Sequence, residues 1–62
     1  MRLVELETGR EIKDGDEVEL GRRTYNLSGR DPKAGIVFLF DADRDGSPFH
    51  VKPSAIGAKF AA

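Results

Sequence analysis

The sequence has no cysteine and a single histidine, His50, among its 62 residues. Without cysteine the chain has no means of forming a disulfide bond, a thiolate zinc site or a cysteine nucleophile. His50 alone lacks the partners that a transition-metal site or a nucleophile–base pair requires. These absences exclude several common kinds of active site, and we expect a protein that is not an enzyme.

Long apolar runs are also missing. The longest, Ile36–Phe40, is far shorter than the roughly 18 consecutive apolar residues of a membrane span. The first seven residues alternate in character and do not form the apolar block of a secretion signal. We therefore expect a cytoplasmic protein that does not enter a membrane, with one domain over residues 1–62.

The same five residues, Ile36–Phe40, are β-branched and aromatic, which predicts a central strand. Because side chains alternate across a strand, Ile36, Phe38 and Phe40 face one way and Val37 and Leu39 the other. We assign the two large aromatic side chains to the core. Val37 and Leu39 then point outward, and an exposed apolar strand face is usually an interface.

The other apolar residues recur at the period of short strands separated by glycine-bearing turns. Residues 53–57 are predicted to form one helical turn, which Ser54 can cap and Gly57 can end. This pattern predicts an all-β fold, a small five- to six-stranded barrel with one helical turn before the last strand. The predicted core is Val4, Leu6, Ile12, Val18, Leu20, Tyr25, Leu27, Ile36, Phe38, Phe40, Phe49, Val51, Ile56 and Phe60.

Two segments carry a resemblance to a known fold. VKPSAIGAKF, residues 51–60, resembles the end of a Src-homology-3-like barrel, where a proline-initiated helical turn precedes the final strand. Residues 14–18, followed by Gly35-Ile36-Val37, are similar to the "GD-x-V … G-x-V" skeleton of KOW-type members, with residues 30–34 lengthening the interval. The resemblance implies an interaction module or a nucleic-acid-binding barrel. The chain has no tryptophan, so a proline-rich ligand in an aromatic groove is not expected.

Basic residues are concentrated in the middle third, at Arg22, Arg23, Arg30 and Lys33, which gives residues 21–40 a charge of +3 while residues 1–20 carry −4. Arginine binds phosphate, and Tyr25 nearby offers a ring for stacking on a base. The two ends of this segment lie about 20 Å apart along an extended strand, which separates the cations. Nucleic-acid binding through these residues is the alternative function.

The turn after the central strand contains Asp41, Asp43 and Asp45, and residues 41–47 match the first seven positions of an EF-hand calcium loop. Pro48 at position eight and Lys52 at position twelve depart from that pattern. A polar hairpin turn has the same composition. Calcium binding at Asp41, Asp43 and Asp45 is therefore the third hypothesis. The leading one is a non-enzymatic module that binds protein, or its own copies, through Val37 and Leu39.

Overall fold

A computed structural model describes residues 1–44 and 46–62. In these residues the strands are β1 (Arg2–Glu5), β2 (Glu17–Leu20), β3 (Arg23–Asp31), β4 (Ile36–Phe40), β5 (Phe49–Val51) and β6 (Ala58–Ala61). β1 pairs with β6, while β2, β3, β4 and β5 form a four-stranded antiparallel sheet in that order. The predicted all-β class is confirmed. Within the described residues no strand pairing closes the two sheets into a barrel.

The four-stranded sheet is a meander built on short turns. Gly21 and Arg22 form the two-residue turn between β2 and β3, and Gly21 has a φ of 63°, which favours glycine. β3 carries a bulge, because Leu27 pairs with Leu39 whereas Gly29 pairs with Phe38. Ser28 is the additional residue, so the register of β3 against β4 shifts by one at this point.

The predicted helical turn before the last strand is confirmed as a 3-10 turn over Pro53–Ile56. Proline at its first position needs no hydrogen-bond partner there, and Gly57 ends the turn with a φ of 66°. The prediction that Ser54 caps the turn is wrong. Lys52 precedes the turn, and no side chain among the described residues caps it.

The core lies between the two sheets and contains Leu3, Ile12, Val18, Leu27, Val37, Leu39 and Ala58. Val37 and Leu39 are both 0% exposed. The prediction that these two side chains point outward is therefore wrong. Both faces of β4 are apolar, so alternation alone did not show which face the second sheet covers. Leu3 of β1 and Ala58 of β6 pack on the face that bears the smaller side chains.

The burial predicted for the first strand is also partly wrong. Leu3 is fully buried and Leu6 is 58% exposed, although Leu6 was predicted to be in the core. β1 ends at Glu5, and the N–H of Gly9 donates to the Glu5 carbonyl at 2.9 Å, which turns the chain. Leu6 thus belongs to the turn and not to the alternation of the strand.

Candidate interaction surface

The four-stranded sheet has an inner face, which packs on β1 and β6, and an outer face on the opposite side. Because side chains alternate, β4 directs Ile36, Phe38 and Phe40 to the outer face. All three are half-buried, although they were predicted to be in the core. We call these three residues the outer stripe. They form a row of large apolar side chains along one strand, accessible from solvent.

Neighbouring strands support the centre of the outer stripe. Cross-strand partners share a face, so Gly29 of β3 and His50 of β5 flank Phe38. The Cδ2 atom of Phe38 lies 3.9 Å from the position that a Cβ atom would take on Gly29. The ring therefore lies against the backbone of β3, which buries part of its surface and leaves the rest accessible.

Opposite charges stand on the two sides of the outer stripe. Asp31 of β3 pairs with Ile36 in the register. Lys52 follows β5 with extended backbone angles, φ −73° and ψ 147°, so alternation directs it to the same face as His50. The β4–β5 register, continued by one residue, brings Lys52 level with Ile36 as well. One end of the stripe thus lies between a carboxylate and an ammonium group.

The other end of the stripe adjoins an acidic hollow of about 270 Å³ whose lining includes Asn26, Asp41 and Asp43. Asp41 Oδ1 accepts from the backbone N–H of Asp43 at 3.0 Å, and Asp41 Oδ2 lies 3.8 Å from Arg44 Nε. Among the described residues no three potential ligand side chains converge on a metal position. Asp45 lies outside these residues, so the calcium hypothesis for Asp41, Asp43 and Asp45 stays a prediction.

The four predicted phosphate-binding cations do not share one patch. Arg23 begins β3 and Arg30 lies near its end, which places their Cα atoms about 23 Å apart by the rise of a strand. Arg22 belongs to the turn before β3, and Lys33 to the turn after it. Arg30 Nη2 also lies 3.6 Å from Asp14 Oδ1. The strand thus divides the cations into two pairs at opposite ends.

Tyr25 and Phe49 form an edge-to-face aromatic pair, with ring centroids 5.2 Å apart and an interplanar angle of 81°. Both were predicted to be in the core. Tyr25 is half-buried and packs against the core, while Phe49 is 37% exposed. Because Phe49 already packs against the ring of Tyr25, this ring is not free to stack on a base beside Arg22 and Arg23.

A cleft of about 390 Å³ lies beside β2, on the side away from β3, and Glu5 stands at its rim. Glu5 Oε1 accepts from Arg10 Nη2 at 2.7 Å and Nε at 3.1 Å, and Thr8 Oγ1 donates to Glu5 Oε2 at 3.0 Å. These hydrogen bonds, chiefly those from Arg10, hold the pKa of Glu5 below its ordinary value. Glu5 therefore remains ionised and is neutralised locally by Arg10.

Comparison of the chain with protein-family models, with curated proteins and with solved structures found no significant match. In the part of the chain that the structure describes, no helix is both long and apolar enough to cross a membrane.

Proposed function

We propose that this protein is a non-enzymatic interaction module, and that its partner is a second copy of the same chain bound through the outer face of the four-stranded sheet. The observation that supports the proposal is the outer stripe. Its three large side chains remain half-buried after folding, and covering them would remove further apolar surface from water at about 25 cal/mol per Å². Val37 and Leu39, which the sequence suggested as the interface, are completely buried in the core and are not accessible to a partner.

Charge complementarity favours a second copy as the occupant. Consider a two-fold axis that lies between two outer faces and runs parallel to β4. It sets β3 of one copy over β5 of the other, at the same height along the strands. Asp31 of one copy then stands opposite Lys52 of the second, and symmetry repeats the contact. A two-fold axis that lies between the faces and runs perpendicular to the strands would instead place β3 over β3. Asp31 would then not stand opposite Lys52.

The size of the face sets the expected strength. In this arrangement β3, β4 and β5 of the two copies overlap, while β2 lies beyond β5 of the other copy. Three strands about 4.8 Å apart and about five residues long give a contact of roughly 10 by 17 Å. This is smaller than the roughly 800 Å² per partner of a standard stable interface. The dimer is thus a weak one, with a dissociation constant of about 10⁻⁴ M or above.

We also infer that the architecture is that of a Src-homology-3-like barrel with a gap between its two halves. Three features support this inference: the meander of β2 to β5, the 3-10 turn before β6, and the pairing of the first strand with the last. The cytoplasmic location, and the expectation that the protein is not an enzyme, stay predictions from the sequence.

Sedimentation velocity from about 10 µM to about 1 mM tests the proposed function. We expect the mean mass of the wild-type protein to rise with concentration. Phe38→Glu places a charge at the centre of the outer stripe, and this variant should stay monomeric over the same range. Leu6→Glu is the matched control, because Leu6 is exposed and lies outside the outer face. A wild-type protein that is monomeric throughout, or a folded Phe38→Glu variant that associates like the wild type, would contradict the proposal.

A further inference from the structure

β2 is an edge strand whose free edge carries unpaired backbone groups. In the β2–β3 register Val18 pairs with Tyr25 and Leu20 with Arg23, across a two-residue turn. The N–H of Leu27 donates to the Asp16 carbonyl at 2.9 Å, which fixes Asp16, Val18 and Leu20 as the residues that bond to β3. The N–H and C=O groups of Glu17 and Glu19 therefore point away from the sheet. The backbone hydrogen bonds of the turns and loops that the structure describes do not use these groups either.

This edge borders the cleft of about 390 Å³, and an added strand would occupy the cleft. The lining includes Ile12, Val18 and Ile56. Ile12 and Val18 belong to the buried core cluster, and Ile56 packs against it. A residue of an added strand that points towards the core would contact these apolar side chains. Its neighbours along the strand would point to the outer side, where Glu17 and Glu19 lie.

The charges around the cleft indicate which segment fits. Glu7, Glu17 and Glu19 line it together with the pair of Glu5 and Arg10, and Arg10 neutralises Glu5. Three carboxylates remain without a cation among the described ion pairs. Basic side chains on an incoming strand would therefore be attracted, and acidic ones repelled.

We infer that the free edge of β2 accepts an extended segment of a partner protein as an added strand, and that this segment alternates basic and apolar residues. Backbone hydrogen bonds to Glu17 and Glu19 hold the segment, and the carboxylates select its charge. A second β2 is disfavoured as the occupant, because edge-to-edge pairing would bring the glutamates of two copies together. This surface is separate from the outer stripe, so either proposal stands without the other.

The test uses the full chain and a five-residue acetylated, amidated peptide of alternating lysine and valine. Hydrogen exchange is measured at each backbone amide by NMR. In the free protein we expect fast exchange at Glu17 and Glu19 and slow exchange at Val18 and Leu20. At saturating peptide, exchange at Glu17 and Glu19 should slow at least tenfold. Peptides that are N-methylated at alternate positions sharpen the test, because methyl groups on only one of the two peptide edges should abolish binding.

Charge variants test the selectivity. Glu17→Gln and Glu19→Gln should each weaken peptide binding, by up to about fivefold as expected for a partly exposed ion pair. Glu11→Gln, which removes the same charge outside the lining of the cleft, should bind like the wild type. The inference is overturned if saturating peptide leaves exchange at Glu17 and Glu19 unchanged, if both N-methylated peptides bind alike, or if the amide shifts fall on the outer stripe instead.

Discussion

Leu27 and Leu39 stand opposite each other across β3 and β4, and both side chains are buried on the inner face. Removing most of the Leu39 side chain should therefore cost about 2 to 5 kcal/mol of unfolding free energy. A chain of this length has only about 3 to 9 kcal/mol in total. We predict that Leu39→Ala loses about half of the unfolding free energy, whereas Phe38→Ala, on the outer face, loses clearly less.

Urea denaturation monitored by circular dichroism compares the two variants directly. Leu39 and Phe38 are adjacent in the sequence and belong to the same strand, so each is the matched control for the other. The assignment of faces would be contradicted by the reverse order, with Phe38→Ala the more destabilised variant.

The comparison of sequence with structure is clearest at β4. Its bounds, Ile36–Phe40, were predicted correctly, because an apolar β-branched and aromatic run between a glycine and an aspartate identifies a strand. The face of β4 that lies towards the core was not predicted correctly. Both faces are apolar, so the alternation of side chains does not show which one is buried. His50 offered a usable signal: a histidine between the apolar residues Phe49 and Val51 is expected to point outward, and its cross-strand partner Phe38 must share that face. The register that links the two residues was not available from the sequence.

The sequence also did not predict the outer face as the candidate surface, because the register between the strands was not available from it. Asp31 and Lys52 lie 21 positions apart in the sequence, and only the pairing of β3, β4 and β5 brings both level with Ile36. The bulge at Ser28 adds one residue to β3 and shifts this pairing. Gly29 beside it was the available signal, because a glycine inside a strand often marks a bulge. Turns, by contrast, were predicted well where glycine adopts a positive φ, as at Gly57.

Charge reversal tests the proposed geometry of the dimer. Asp31→Lys alone, or Lys52→Asp alone, should abolish self-association, because each places like charges opposite each other at both symmetric contacts. An equimolar mixture of the two variants should associate, since every contact in the mixed dimer then joins a lysine to an aspartate. Sedimentation velocity of each variant and of the mixture measures this. Association of either variant by itself at the level of the wild type would contradict the arrangement.

Glu5 and Arg10 predict a dependence of stability on pH. The pKa of Glu5 is below its ordinary value in the folded state, chiefly because of the hydrogen bonds from Arg10. As pH falls through the ordinary pKa of glutamate towards the folded value, the unfolded chain binds the proton first, and stability decreases. Above that window the contribution is fully present. Arg10→Gln should raise the pKa of Glu5 towards its ordinary value.

Carbon-detected NMR titration of the Glu5 carboxyl group measures this change in the wild-type and Arg10→Gln proteins. Thr8→Ala is a graded control, because Thr8 contributes the second hydrogen bond and should give a smaller rise of the pKa. Equal titration of Glu5 in the wild-type and Arg10→Gln proteins would show that Arg10 does not stabilise the carboxylate in solution.

The contact between two outer faces is tested most directly by intermolecular nuclear Overhauser effects in a mixture of isotope-labelled and unlabelled protein at millimolar concentration. The proposed dimer predicts cross-peaks between the Phe38 rings of the two copies, and between the Asp31 and Lys52 side chains of different copies. It predicts none between copies at Val37 or Leu39, which are buried. Intermolecular cross-peaks confined to residues outside the outer face, in a sample that sediments as a dimer, would contradict the proposal.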